Sequence, residues 1–309
     1  MNSLSWNCRG IGNPRLVRAL HDLVQRYNPK IVFLMETKVG VRKMKRVQSR
    51  IGLQNGIIIP SEGRSGGLAL LWERELDVEL KSYTRNHVDA IVIDSKLSLK
   101  RRIMGFYGNP DTNHRKESWN LLQFLNSQFQ MPWVCLEDFN EILYASEKSG
   151  GPKRSQQQMD GFRRVVNACG FHDLGFEGPK FTWCNRRTGD GRIQLRLDRV
   201  FATSKWRQHY SQARVIHVVD LTLDHCALIL IDQQFPQRHK QKWFHFEAVW
   251  TRHEKCREIV QETWRNQMGI NSQTDLIGGL KEYAETLTKW SRNDLGFYAK
   301  KIKEKRKLL

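Results

Sequence analysis

Ile31-Val32-Phe33-Leu34-Met35-Glu36-Thr37-Lys38 sets the pattern of the chain: an apolar, strand-like run that ends in a polar cluster. Short runs rich in β-branched and aromatic side chains read as buried strands. The pattern returns twice. Arg102-Ile103-Met104-Gly105 leads into Phe106-Tyr107-Gly108-Asn109, and Trp133-Val134-Cys135-Leu136 leads into Glu137-Asp138-Phe139-Asn140. Ser5-Trp6-Asn7-Cys8-Arg9-Gly10, Leu197-Asp198-Arg199 and Asp224-His225 complete the set. Carboxylates, amides and one histidine displayed at strand ends can converge on one rim of a sheet. Such a rim suits a hard divalent cation and a phosphodiester, because both take oxygen ligands and fixed donors.

Outward from these runs, strand and helix signals alternate. Asn13-Pro14 starts a helix, with Asn as N-cap and Pro in the first turn. Leu16, Leu20, Leu23, Val24 and Tyr27 continue it at helical spacing, and Asn28-Pro29 ends it. Ile57 to Ile59, Leu68 to Trp72 and Ala90 to Asp94 read as strands, and the polar segments between them as loops. Helices are expected from Arg115 to Phe129 and from Gln156 to Ala168, the second with Gly170 as its C-cap. Phe181 to Cys184, Leu197 to Ala202, Ala213 to Val219 and Ala227 to Ile231 complete the strands. Many strands with few interposed helices predict an α/β protein of two packed sheets with helices outside.

The 309 residues could hold two average domains, although single α/β folds of about 200–250 residues are common. A net charge of +19 points to a polyanionic partner, since Lys and Arg occur throughout and not in one tail. The six cysteines contain no C-x-x-C pair, which argues against a zinc knuckle and for buried free thiols in a reducing compartment. No apolar run approaches the ~18 residues of a membrane span, and the N-terminus has no signal-peptide pattern. The expectation is a soluble, intracellular monomer, in nucleus or cytoplasm.

After residue 235 the texture changes. Gln233 to Lys242 reads as a polar linker. Two helical stretches follow, the first marked by Cys256, Val260 and Trp264 and the second by Leu276, Leu280, Tyr283, Leu287 and Trp290. Their spacing predicts a helical hairpin that packs against another part of the chain or a protein partner. Lys300 to Lys307 reads as a solvated basic helix end.

The motifs together resemble the endonuclease/exonuclease/phosphatase superfamily, and more narrowly the endonuclease of plant non-LTR retrotransposon polyproteins. The narrower likeness rests on Ser5 to Pro14, Asp138 to Leu143, Glu147 to Gly151, Phe181 to Arg187, Arg196 to Arg199 and Asp224 to Cys226. It covers residues 1–235 well and continues weakly to the end, where that family leads into a reverse transcriptase absent here. The resemblance implies a four-layer sandwich of two mixed β-sheets flanked by helices, with a C-terminal helical extension. It also implies Mg²⁺, with Mn²⁺ as the alternative, and double-stranded DNA as partner.

By the same resemblance, Glu36 holds the metal, assisted by Asn7 near metal and phosphate, with Asp224 as a further ligand or water-positioning group. Asp138 orients or deprotonates the attacking water, Asn140 binds water or phosphate, Tyr107 contacts the phosphate, and Asp198 orients His225. Read singly, Glu36 fits a surface strand end, Asn7 a turn, and Asp138 and Asn140 capping groups. DNA contact falls to Arg9, Lys38, Arg186, Arg187 and Arg199, and more weakly to Arg64, Lys148, Lys153 and Arg154, each of which could be simply solvated. Trp183 and Phe181 read as core. Three departures stand out: Glu137 where Gly is usual, Leu223 where Ser is usual, and Leu195 where Glu is common. Glu137 could repel DNA or divert the metal. The expected function is a metal-dependent DNA endonuclease; the alternatives are a decayed nucleic-acid-binding remnant and a phosphodiesterase or phosphatase for small phosphoesters.

Overall fold

A computed structural model of the chain describes residues 1–63, 65–94, 99–219, 224–232, 250–251, 253–265 and 283–291. It divides into two compact units, Met1–Gln234 and Phe235–Leu309.

The first unit opens with β1 (Asn2–Asn7), α1 (Pro14–Tyr27), β2 (Ile31–Met35), α2 (Val41–Arg50), β3 (Asn55–Ile59) and β4 (Leu68–Trp72). Then come β5 (Asp77–Thr84), β6 (His87–Asp94), β7 (Leu99–Tyr107), α3 (Arg115–Gln128) and β8 (Trp133–Asp138). It closes with β9 (Lys148–Ser149), α4 (Gln156–Ala168), β10 (Phe171–Asp173), β11 (Trp183–Cys184), β12 (Gln194–Leu195), β13 (Asp198–Thr203), α5 (Ser204–His209), β14 (Arg214–Val218) and β15 (Ala227–Ile231). Two six-stranded sheets result, ordered β14-β15-β1-β2-β4-β3 and β10-β13-β8-β7-β6-β5, with β11-β12-β9 as a small third.

Each large sheet is mixed, and in each the parallel pair is joined by one helix. β1 and β2 pair in parallel across α1; β7 and β8 pair in parallel across α3. A parallel pair needs such a crossover. The consequence for function is positional: the C-terminal ends of four strands, at Asn7, Met35, Tyr107 and Asp138, finish at one rim.

The layers follow from alternation along the strands. On β2, Val32 and Leu34 join the cluster under α1 and α2, with Leu16, Leu20, Met44 and Val47, while Phe33 and Met35 face the other sheet. On β8, Val134 and Leu136 face the first sheet, while Cys135 joins Trp119, Phe162 and Val165 under α3 and α4. The order is therefore helix, sheet, sheet, helix. Gly105 on β7 lets the sheets approach: a Cβ there would lie 2.3 Å from the Phe33 ring.

Besides the short β9, β10, β12 and α5, two longer elements escape the sequence reading. Val41–Arg50 is a helix that buries only Met44, Val47 and Gln48. Asp77–Thr84 falls among the polar segments that read as loops, yet it is the edge strand of the second sheet, with no residue buried. The buried stripe of α2 is sparse, and the alternation of Val78 and Leu80 in β5 breaks at a register shift before Ser82. The strand expected over Phe181 to Cys184 shrinks to Trp183–Cys184. Leu195 packs with Ile142, Met159 and Leu197 in a satellite core.

In the second unit, α6 (Glu254–Arg265) and a helical stretch over 283–290 bring Trp250, Cys256, Ile259, Leu287 and Trp290 into one cluster. The expected linker, Leu276, Leu280 and the basic end from Lys300 lie outside the described residues, as do Arg64 and Leu223.

Candidate active site

At the end of β1, the Asn7 amide donates to Glu36 Oε1 at 3.1 Å and to Asp138 Oδ2 at 2.9 Å. One side chain thus links the two sheets. Tyr107, at the end of β7, donates its hydroxyl to the same Glu36 oxygen at 2.9 Å. Asn7, Tyr107, Asp138 and Asp198 share one strand face with the inner core, so all four enter the rim from between the sheets.

Glu36 follows β2 with φ +48°, and Lys38 has φ +52°. A double glycine holds this turn: Thr37 N–H donates to Gly67 O at 3.0 Å and Lys38 N–H to Gly66 O at 3.1 Å. Gly67 sits at φ +90°, and a Cβ there would meet Thr37 Oγ1 at 2.3 Å. Opposite, Asn140 (φ +55°) donates its backbone N–H to Asp138 Oδ1 and its amide to Gly108 O, at 2.9 and 2.8 Å. Among the described residues, six non-glycines have positive φ; five of them, Arg9, Glu36, Lys38, Asn140 and Arg186, belong to this site or its cleft. Left-handed backbone is costly for residues with a Cβ and collects where function requires it.

His225 lies just before β15 and is bridged to Trp183. Its Nδ1 donates to Asp198 Oδ2 at 3.0 Å and lies 3.9 Å from Asp138 Oδ2. Asp198 is held from behind by Thr182, whose Oγ1 accepts from the backbone N–H of Leu197 and Asp198, both at 3.0 Å. Sequence reasoning gave Thr182 no role; its place between Phe181 and Trp183 in the quoted motif was the available signal. Asp138, Asp198 and His225 bring ligand-type atoms within 4.8 Å of one another, all buried.

Burial disfavours the imidazolium, but the Asp198 carboxylate outweighs it and lifts His225 to about 9. Burial, then the Asp198 charge, raises Asp138 above the usual carboxylate range. Burial also pushes Glu36 upward, yet donation from Lys38, Asn7 and Tyr107 overrides it and leaves Glu36 below that range. The site therefore holds an imidazolium, an ionised glutamate, and an aspartate poised to take a proton.

Arg9 lies across the mouth, ion-paired with Asp224 and 3.6 Å from Glu36 Oε2, while Lys38 Nζ is 2.9 Å from Glu36 Oε2. One guanidinium thus touches both rim carboxylates. Asp224, Arg9, Trp183, Arg186 and Arg187 line a cleft beside the site. Phe181 and Trp183 are half-buried, and Trp183 packs against the satellite core of Ile142, Met159, Leu195 and Leu197. Lys153 is exposed, and Arg154 lies 2.9 Å from the buried Glu141.

Two sequence readings are corrected. Arg199 cannot contact DNA: it is 0% exposed and bonded to Glu147 and Asp173. Glu137 neither faces DNA nor reaches a metal at the rim. It is fully buried on the opposite strand face from Asp138, and burial holds it well above the usual range, hence neutral. In both cases a neighbouring aspartate suggested the site, while strand alternation sends the side chain the other way.

The sequence profile of the Endonuclease/Exonuclease/phosphatase family matches residues 4–225. A search of curated proteins finds no match. Among solved structures, the chain is similar to the 3′ phosphatase NExo from Neisseria bound to a product DNA hairpin. That match has TM-score 0.59 and 17% identity, and covers 75% of this chain and 99% of that one. The endonuclease domain of TRAS1, a telomere-specific non-LTR retrotransposon, matches with TM-score 0.57 and 18% identity, covering 76% and 99%. The AP endonuclease LMAP from Leishmania major matches with TM-score 0.58 and 13% identity, covering 74% and 86%. At such identities the likeness speaks for the fold.

Proposed function

Since the chain belongs to the Endonuclease/Exonuclease/phosphatase family, whose members hydrolyse phosphoesters, we propose that it is a divalent-metal-dependent endonuclease that nicks double-stranded DNA. The observation that carries this reading is a continuous polar chain: Asn7 hydrogen-bonds Glu36 and Asp138, and Asp138 lies 3.9 Å from His225, which is hydrogen-bonded to Asp198. It spans both sheets, and cationic side chains border it.

The oxygen-rich outer set would suit a hard cation: Glu36 and Asp224 both face the Arg9 guanidinium, and Asn7 Oδ1 accepts from the Arg9 N–H at 3.3 Å. Held there, Mg²⁺ or Mn²⁺ would neutralise charge on the phosphate and the leaving oxygen. The other tasks fall to the chain. Asp138, raised in pKa and fixed by Asn7 and the Asn140 N–H, accepts the proton of the attacking water. His225, with Nδ1 tied to Asp198, is left with Nε2 to donate to a non-bridging phosphate oxygen. Tyr107 and Asn140 border the phosphate position, and Arg9, Lys38, Arg186 and Arg187 draw the DNA backbone by charge.

A retrotransposon origin is the finer part of the reading. The sequence motifs and the likeness to the TRAS1 domain support it. A nick made this way would leave a 3′-hydroxyl from which reverse transcription is primed. The test is nicking of a supercoiled plasmid with Mg²⁺, and its loss with EDTA and in His225→Ala.

A further inference from the structure

The longest acid-free stretch of the chain starts at the edge of the site and runs away from it. From Thr37 to Ser61 the chain has no Asp or Glu but carries Lys38, Arg42, Lys43, Lys45, Arg46 and Arg50. The last five belong to α2, and all five are exposed. None of their side chains has a hydrogen-bond or ion-pair partner among the described residues, whereas Arg101, Arg102, Arg115, Arg196 and Arg199 are all buried against carboxylates.

The helix bears a local cost for this arrangement. Arg42 and Lys43 stand in its first turn, where the helix dipole disfavours cations, with no acidic residue to balance them. Arg42 with Lys45 and Arg46, Lys43 with Arg46, and Arg46 with Arg50 are like-charged neighbours at helical spacing. A polyanion would remove both penalties. The opposite face, through Met44 and Val47, anchors α2 in the core and fixes the charges in place.

Continuity with the site comes from two contacts. Lys43 Nζ reaches the loop that carries Arg9, coming within 3.1 Å of where a Gly12 Cβ would sit, and the Lys38 side chain lies 3.9 Å from a Cβ at Gly10. Cationic side chains thus run from Arg9 and Lys38 through Lys43 onto α2. At 1.5 Å per residue, α2 adds about 15 Å to the footprint.

We propose that the outer face of α2 is a second phosphate-binding track, which holds the backbone of duplex DNA flanking the cut. This rests on the endonuclease reading but is tested apart from it. Affinity is measured in EDTA for the wild type and an Arg42→Gln, Lys45→Gln, Arg46→Gln variant. The probes are a duplex too short to reach α2 and one longer by roughly two helical turns, about 20 base pairs. The wild type should bind the longer duplex more tightly. The variant should lose that preference, weaken at least about tenfold on the longer duplex, and show a salt slope lower by about 2–3 units. The charge-keeping Arg42→Lys, Arg46→Lys variant should behave as wild type. Equal affinity and equal slope for wild type and the glutamine variant would overturn the proposal. So would a loss confined to a structured RNA competitor. If neither protein cuts DNA with Mg²⁺ yet the binding difference stands, the catalytic reading fails and the track survives.

Discussion

Alternation along a strand decides what each side chain in a motif can do. In Leu197-Asp198-Arg199 the aspartate enters the site, while the arginine is sealed into an ion network with Glu147 and Asp173. In Glu137-Asp138 the aspartate again enters the site, and the glutamate is buried neutral among Phe106, Phe139 and Cys135. The identities of the site residues were legible as strand-end polar clusters. Their facing was not, because a one-residue shift in parity moves a side chain from rim to core. His225 carries the first prediction. Its pKa is raised to about 9, so the imidazolium persists through neutral pH. Cleavage should climb with pH as Asp138 loses its proton and fall again above about 9, which a pH–rate profile reads directly. Asp198→Asn should lower kcat by about 10²–10⁴ and move the falling limb to lower pH. Glu137 gives a stability test. Its folded pKa is raised, so its contribution is intact below the unfolded value of 4.5 and is lost as pH rises above it. Glu137→Gln should flatten that decline, by up to about 1.4 kcal/mol per pH unit, in denaturant melts at pH 5 and pH 8.

Turns and helices fix where those side chains stand. The Glu36 turn depends on Gly66 and Gly67, which were read from sequence only as part of a loop. Gly67→Ala places a methyl against Thr37 in left-handed backbone. It should raise the Mg²⁺ concentration needed for half-maximal cleavage severalfold and lower the melting temperature; a variant with wild-type metal dependence would remove Gly67 from the account. α4 is tied to the second sheet through Phe162, whose ring centroid lies 4.8 Å from that of Phe139 and 6.0 Å from that of Trp119. Phe162→Ala should cost about 3–5 kcal/mol in chemical denaturation. Both α1 and α4 were readable because caps and apolar stripes coincide there. α2 was not, since seven of its ten residues are polar and its buried stripe is only Met44, Val47 and Gln48. β5 was hidden because its alternation, Val78 and Leu80, breaks at the register shift before Ser82, and an edge strand with one open face needs no longer apolar run.

At the scale of the whole molecule, two crossover units, β1-α1-β2 and β7-α3-β8, deliver four strand ends to one rim. The pairing of Asp198 with Asp138 then brings the fifth strand to the same place. Two packed sheets could be read from the count of strand runs, but nothing local specifies which strands become neighbours. With a net charge of +19 and cations bordering the rim, activity on DNA should fall steeply with salt, and a plot of log affinity against log salt should have a slope of several units. The most direct test of the central claim is nicking of supercoiled plasmid by the purified protein with Mg²⁺, beside EDTA and His225→Ala. Conversion to open circle that both controls abolish is the predicted result. A plasmid that stays supercoiled with the wild type, or is cut equally by His225→Ala, would contradict the account.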